Sequence, residues 1–398
     1  MKNLMNHAAI TAILFLLIAC QSTNSLNNNY TIDNETRFYL DEKFNGYQHV
    51  LVESEAEIFA LSEKMKIMAR TIALERDARK KANKLLEIFF NPENIDLAYK
   101  SEANVVASEA FQNRQANCLS LTIMAYAIAN EAKLDVAFQN VNIPEYWVRN
   151  GSVNMLTGHI NLKVLEPKSA QTLLFYERAG VEIDFDPFVL KKTFPKQRIN
   201  KNTVIAMFYN NKGANAMVKG DYLRAYAYLK SATKVAPLFS SAWGNLGILY
   251  RLKGYQKNAL KSYRYAINLN PNNLTAMANL SLLLHINGHY DEAKQLDAYI
   301  MRKRANNPYY YSLLGDEKLY QGAYYQAINH YKKAIKLNEN IHEFYFGLAK
   351  VYFMLDELDM AENYLKKARA KNRITQLDKQ YLAKLNVLKQ IEQGNKLP

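Results

Sequence analysis

Small and apolar residues recur every 34 positions through the C-terminal half of this chain. Three series keep the period: Ala225, Ala259, Ala293, Ala327 and Ala361; Gly220, Gly254, Gly288 and Gly322, with Asp356 in the fifth place; and Gly213, Gly247, Ser281, Gly315 and Ala349. Small residues let two helices approach closely, and glycine suits the turn between them. The pattern predicts five stacked helical hairpins over residues 204–373, and an amphipathic segment in 374–398 predicts a capping helix and tail.

The preceding part of the chain has a different pattern, which predicts a mixed α+β domain over residues 46–200. The predicted elements are amphipathic helical structure over 53–90, a helix that begins at Cys118, and strands at 136–141, 159–165, 173–176 and 181–185. Strict alternation after His159 places this residue at the start of its strand, with Ile160, Leu162 and Val164 together on the face opposite it. The last strand should carry Glu182, Asp184 and Asp186 on its polar face.

The first residues resemble a bacterial lipoprotein signal peptide. The apolar run from Ala8 to Ala19 is shorter than the ~20 residues that a helix needs to span a bilayer. It ends in Leu17-Ile18-Ala19-Cys20, which resembles a lipobox. The resemblance implies a signal peptide over 1–19, a membrane lipid on Cys20 and a flexible tether over 20–45. Gln21 then favours the outer membrane of the cell envelope, with the protein facing the periplasm.

The 34-residue period resembles tetratricopeptide (TPR) repeats. The fullest match to that pattern comprises Trp243, Leu246, Gly247, Tyr250, Ala259, Tyr263, Ala266 and Pro271. Such an all-α solenoid has a concave groove, lined by the first helix of each hairpin, which binds a protein or peptide partner. The candidate partner-binding residues in this groove are Arg251, His285, Phe346, Lys350 and Phe353.

Positive charge is concentrated in the repeats. Residues 201–398 contain 29 Lys and Arg against 14 Asp and Glu, a net charge of +15, whereas residues 1–200 contain 22 against 23. A basic stripe recurs on the second helices at Lys230, Arg264, Lys332 and Lys366, where it indicates a solvated convex face rather than a binding site. No aromatic residues are interleaved with this stripe, and export also argues against nucleic acid as a partner.

Several short segments within residues 46–190 resemble the bacterial transglutaminase-like superfamily. They are Asn117-Cys-Leu-Ser-Leu-Thr122, Phe138-Gln-Asn-Val141, Pro144-Glu-Tyr-Trp147, Gly158-His-Ile-Asn-Leu162 and Ile183-Asp-Phe-Asp-Pro187. The resemblance implies a papain-like fold in which Cys118 is the nucleophile and His159 its base. Asp184 would orient the imidazole because it lies deeper in its strand, with Asp186 as the alternative. Ala116 departs from the glycine that this family usually has before Asn-Cys.

Two functions follow from these patterns. One is a lipid-anchored, cysteine-dependent amide hydrolase or acyltransferase with a TPR docking array. The other is a non-catalytic adaptor that recruits envelope enzymes or assembly factors, in which Cys118 is only a small core residue. The sequence contains no Cys-x-x-Cys, His-Glu-x-x-His, Gly-Lys-Thr loop or dinucleotide-binding glycine set, so neither a metal nor a cofactor is predicted.

Overall fold

The computed structural model describes residues 38–90, 98–100, 103–150, 153–166, 178–185, 194–372 and 375–394. Four sequence predictions lie outside these ranges: the signal peptide, the lipid site at Cys20, the strand at 173–176 and the alternative aspartate Asp186. Within the described ranges, no helix combines the length and the apolar character that crossing a membrane requires.

Three helices, rather than one continuous one, form the amphipathic segment before residue 91. They are α1 Glu55–Ile58, α2 Glu63–Ala73 and α3 Ala78–Phe90. Ser54 begins α1 with a capping box, in which the Glu57 backbone N–H donates to the Ser54 hydroxyl and the Ser54 N–H donates to the Glu57 carboxylate. Met65 and Ile72 of α2, which lie two helical turns apart on the same face, are fully buried in the domain core.

The helix that begins at Cys118 is the centre of the N-terminal domain. It follows β1 Ala98–Tyr99, α4 Ala107–Asn113 and β2 Gln115–Ala116, and it runs as α5 from Cys118 to Glu131. Residues from Cys118 to Ala129 are buried on nearly every side of α5. A helix that is apolar all round must lie inside the protein, and α5 packs between α2 and the sheet.

Four antiparallel strands form the sheet in the order β5-β4-β3-β6. They are β3 Val136–Asn150, β4 Val153–Leu165, β5 Gly180–Ile183 and β6 Lys196–Ile199. The alternating residues Ile160, Leu162 and Val164 are buried in the core with α5, as their period of two indicates. The predicted start of β4 at His159 is wrong, because pairing with β3 extends the strand back to Val153.

Ten helices in five antiparallel pairs follow the sheet, and a last helix packs on the end of the series. The pairs are α6 Lys201–Val218 with α7 Tyr222–Val235, α8 Ser240–Leu252 with α9 Gln256–Leu269, α10 Leu274–Ile286 with α11 Tyr290–Arg304, α12 Pro308–Tyr320 with α13 Tyr324–Leu337, and α14 His342–Met354 with α15 Leu358–Lys371. The last helix, α16 Thr375–Gly394, buries Tyr381, Leu385 and Leu388 against the fifth pair.

The turn inside each pair requires a left-handed residue. Four of these turns use the periodic glycines, with φ between 73° and 81°, and the fifth uses Asp356 at φ 60°. Aspartate tolerates this region better than most residues with a side chain, so it can replace glycine in the series. A second periodic position must be small: a Cβ on Gly247 would lie 2.6 Å from the Tyr263 ring.

The third pair replaces part of this apolar packing by a polar network. Ser281 occupies the small position and donates a hydrogen bond to Asp297. The other carboxylate oxygen of Asp297 lies 2.9 Å from His285 Nε2. The residues that make this unit depart from the repeat pattern therefore satisfy one another across α10 and α11.

Residues 38–53, which we call the N-terminal strap, pack against the first two helical pairs. Phe44 is 4% exposed and stacks on Tyr226 with 4.2 Å between ring centroids. Asp41 of the strap pairs with Lys230, which is only 5% exposed. Two sequence predictions are wrong here: residues 38–45 do not belong to a flexible tether, and Lys230 is not on a solvated face.

Candidate functional site

Cys118 is held at the N-terminus of α5 by the residue before it. The Asn117 side chain caps the helix by accepting a hydrogen bond from the Ser120 N–H at 2.9 Å. The thiol is 9% exposed, makes no disulfide, and has its Sγ 3.8 Å from the Gly158 carbonyl oxygen. The thiol therefore lies beside the unpaired backbone N–H groups and the positive end of the helix dipole.

His159 lies between the thiol and a buried carboxylate. Its Nε2 is 2.8 Å and 3.0 Å from the two carboxylate oxygens of Asp184, and its ring is also hydrogen-bonded to the Cys118 side chain. Since Nε2 contacts Asp184, Nδ1 is the nitrogen available to the thiol. Burial lowers the pKa of His159, but Asp184 and Cys118 outweigh burial and raise it to about 10. The imidazole is therefore positively charged at neutral pH.

Asp184 is fixed by a second donor, which the sequence analysis did not identify. The Asn161 amide donates to the other side of the carboxylate at 2.9 Å, and Asn161 is fully buried. Asn161 lies two residues after His159 on β4, so strand alternation was the available signal. Asp184 itself lies just beyond the end of β5 and is 3% exposed, whereas Glu182 faces solvent and pairs with Lys196. Glu182 and Asp184 thus do not share a polar face.

The turn before Cys118 contains Ala116, at the position where the family that this segment resembles usually has glycine. Ala116 is fully buried in β2, and its φ is not in the left-handed region. The left-handed residue of this turn is Arg114, with φ 52°. Asn104 then links the turn to the repeats, since its amide donates to the Phe208 carbonyl of α6 and its Oδ1 lies 3.5 Å from the Asn117 amide.

The candidate groove residues lie on first helices of the pairs and differ in their environment. Phe353 is the most open of them, with 46% of its surface exposed. Phe346 packs against Tyr381 of α16, with the Lys350 ammonium 5.5 Å from its ring centroid. His285 is engaged by Asp297, and Arg251 lies against the Tyr263 hydroxyl. Lys350 in turn donates to Asp316 Oδ1 at 2.9 Å, so Phe353 is the candidate groove residue most available to a partner.

The described part of the chain contains no group of three or more His, Cys, Asp and Glu side chains that could hold a metal ion. The arrangement at Cys118 instead suits nucleophilic chemistry without one. A thiol, an imidazole and a carboxylate lie in series in the core of the domain, with the imidazole between the other two.

Family models match the repeats. Residues 240–273 and 262–295 match tetratricopeptide repeat models, and residues 315–356 match a TPR repeat model. No curated protein is significantly similar to the chain. Among solved structures, MamA is 22% identical and aligns over 42% of this chain and 91% of its own, with a TM-score of 0.26.

Two further solved structures are similar in the same way. PilF of Pseudomonas aeruginosa is 18% identical over 49% of this chain and 95% of its own, with a TM-score of 0.31. A tetratricopeptide repeat protein of Parabacteroides merdae is 21% identical over 46% of this chain and 73% of its own, with a TM-score of 0.29. The family models confirm the prediction of tetratricopeptide repeats for residues 240–295 and 315–356.

Proposed function

We propose that the protein is an adaptor whose repeat groove binds a protein or peptide partner. The observation that carries this proposal is the match of residues 240–295 and 315–356 to repeats of a type that generally mediates protein binding. The net charge of +15 over residues 201–398 favours an acidic partner, because complementary charge accelerates association. Aromatic and cationic side chains exposed on α14 supply the type of residue that dominates binding energy.

Site-specific photo-crosslinking tests the adaptor function. A photoreactive phenylalanine analogue at Phe353, on the proposed groove, should capture a partner in cells. The same analogue at Lys366, an exposed residue of α15 paired with Glu362, provides the matched control. Capture at Lys366 but not at Phe353 would mean that the partner binds the second helices, and the groove assignment would then be wrong.

Export and lipidation belong to the same proposal. The lipobox-like sequence ending at Cys20 supports a lipid anchor in the cell envelope, with the repeats in the periplasm. Mass spectrometry of the mature N-terminus, together with fractionation of a Cys20→Ser variant, tests this localisation. An unmodified Cys20 in the membrane-associated protein would contradict the anchor.

A second function, thiol-dependent acyl transfer, is favoured by the geometry of Cys118, His159 and Asp184. The Cys118 thiolate would attack an amide carbonyl carbon, forming an S–C bond while the carbonyl oxygen takes the negative charge. Backbone N–H groups at the start of α5 are suitable donors to that oxygen. The His159 imidazolium would then give its proton to the departing amine as the C–N bond breaks.

The resulting thioester leaves two outcomes. Water or a second amine attacks the acyl carbon, and neutral His159 accepts the proton that this nucleophile loses. The thiol is regenerated as the S–C bond breaks, so hydrolysis and acyl transfer share every protein group. Asp184 would stabilise the imidazolium and hold the ring orientation throughout.

Alkylation of Cys118 tests whether the site is active. Iodoacetamide should modify the Cys118 peptide rapidly near pH 6 in the folded protein, and His159→Ala should abolish this low-pH reaction. An inert core cysteine would react only above about pH 8.5, where an ordinary thiol ionises, or only on unfolding. That second pattern would leave the adaptor function alone.

A further inference from the structure

The strand opposite His159 carries a bulge next to the thiol. In the β3–β4 ladder Val141 pairs with His159 and Tyr146 pairs with Thr157, so residues 142–145 lie opposite Gly158 alone. Gly158 is the residue whose carbonyl oxygen contacts the Cys118 thiol. The position of this bulge therefore bears directly on the backbone between the thiol and its histidine.

The repeat array holds the bulge from outside the N-terminal domain. Glu145, the last bulge residue, receives two hydrogen bonds from the Arg304 guanidinium at the end of α11, at 2.7 Å and 2.9 Å. Asn307, which caps α12, donates to the Glu145 carbonyl at 2.8 Å. Two parallel charge-assisted bonds fix orientation as well as distance, which a single contact does not.

The surroundings of Arg304 exclude solvent from this contact. The Arg304 side chain is only 5% exposed, and its guanidinium lies 4.9 Å from the Trp147 ring centroid and 5.5 Å from that of Tyr310. Trp147 is thus part of the interface between the sheet and the repeats. Glu145 is 27% exposed, so removing Arg304 leaves its carboxylate partly solvated but takes away the paired bonds that fix the position of the bulge.

Gly158 has no side chain that packs against its surroundings. The space where a side chain would stand beside Gly158 is open, with no heavy atom within 4 Å of an added Cβ. A displacement of the bulge can therefore pass to Gly158 without meeting packed side chains there. Gly158 is adjacent to His159 in the chain, so the same displacement changes the approach of the imidazole to Cys118.

We propose that Arg304 of the repeat array is a positioning residue for the Cys118 site, acting through Glu145, the β3 bulge and Gly158. This inference rests on the proposed thiol function. It assigns the third repeat pair a role besides docking: the repeats set the reactivity of the thiol.

The test is the pH profile of Cys118 alkylation in the full-length protein, measured on the Cys118 peptide by mass spectrometry. Arg304→Ala should shift the profile upward by about one pH unit, which lowers the rate at pH 6 about tenfold while the rate at pH 9 is kept. Arg304→Lys should fall between, because lysine keeps the charge but not the paired geometry. Arg264→Ala is the matched control, since Arg264 pairs with Glu292 at an exposed site between neighbouring repeat helices.

Each outcome decides one question. An unchanged profile in Arg304→Ala overturns the inference but leaves the thiol function intact, provided that the native protein reacts near pH 6 and requires His159. If the native protein shows no such reaction, the thiol function itself fails. Should Arg304→Ala not fold, Glu145→Gln is measured instead, and an unshifted profile there rejects the positioning role.

Discussion

The charge state of His159 is the most direct physical test of the site. Burial alone would hold its pKa below 6.5, whereas Asp184 and Cys118 raise it to about 10. Removing these two partners should therefore lower the pKa step by step. We expect the native protein to have the highest value, Cys118→Ser a lower one, and Cys118→Ser with Asp184→Asn a value below 6.5, because only burial then remains.

The size of the effect follows from the same shift. Raising a pKa from 6.5 to about 10 favours the imidazolium by about 5 kcal/mol. Because the folded pKa lies above the unfolded one, this stabilisation is complete below pH 6.5 and is lost as pH rises through about 10. The contribution of His159 to the free energy of unfolding should fall by about 3 kcal/mol between pH 7 and pH 9.5. Comparison with His159→Gln isolates this loss, because the tyrosines that begin to ionise near pH 9.5 do so in both proteins.

Imidazole nitrogen NMR across this pH range measures the ionisation directly, with the His159 resonance assigned from its absence in His159→Gln. Glu182→Gln is the matched control, because Glu182 lies two residues before Asp184 but is exposed and paired with Lys196. The reasoning is refuted if His159 titrates at or below 6.5 in the native protein. It is equally refuted if Glu182→Gln moves the pKa as far as Asp184→Asn does.

Two further predictions concern packing. Gly247→Ala should lower the free energy of unfolding by about 1–3 kcal/mol, because its Cβ would overlap the buried Tyr263 ring; Gly244→Ala, on the same helix with its nearest atom at 3.7 Å, should not destabilise. Chemical denaturation compares the two, and equal losses would contradict the packing argument. Phe44→Ala should free the N-terminal strap to limited proteolysis, at a cost of about 3–5 kcal/mol. Leu51→Ala, at a strap residue that is 90% exposed, should leave the cleavage rate unchanged.

The repeats were predictable because their determinants are local and periodic. A glycine at four of the five left-handed turns, with Asp356 at the fifth, and a small residue at each close approach recur at positions 34 apart, so register follows from sequence alone. The extent of β4 was less accessible. The first half of β4 is set by its pairing with β3, and the register of that pairing is irregular. Residues 153–158 show no alternation of apolar and polar side chains from which this pairing could be predicted.

The residues that sequence reasoning missed depend on distant partners. Lys230 looks like one member of a solvated stripe, yet its carboxylate partner Asp41 is 189 residues earlier in the chain. Arg304 and Glu145 are separated by 159 residues. Neither pair has a local signal, because a charged side chain on a helix has the same spacing whether water or another segment covers it. Sequence can place Cys118 at a helix start, but only the fold brings these charges together.

The boundary between the domain and the repeats, which sequence places at residues 200–204, is a boundary of pattern rather than of packing. One continuous apolar core contains Met65 and Ile123 of the N-terminal domain together with Phe208 of α6 and Ala242 of α8. The N-terminal strap joins the same two parts on another surface, and Arg304 joins them at a third. A segment that shares its core with a neighbour cannot unfold without exposing that neighbour's apolar surface. The first repeat pair is therefore structurally part of the N-terminal domain, and packed contacts rather than a linker join the two parts of the chain.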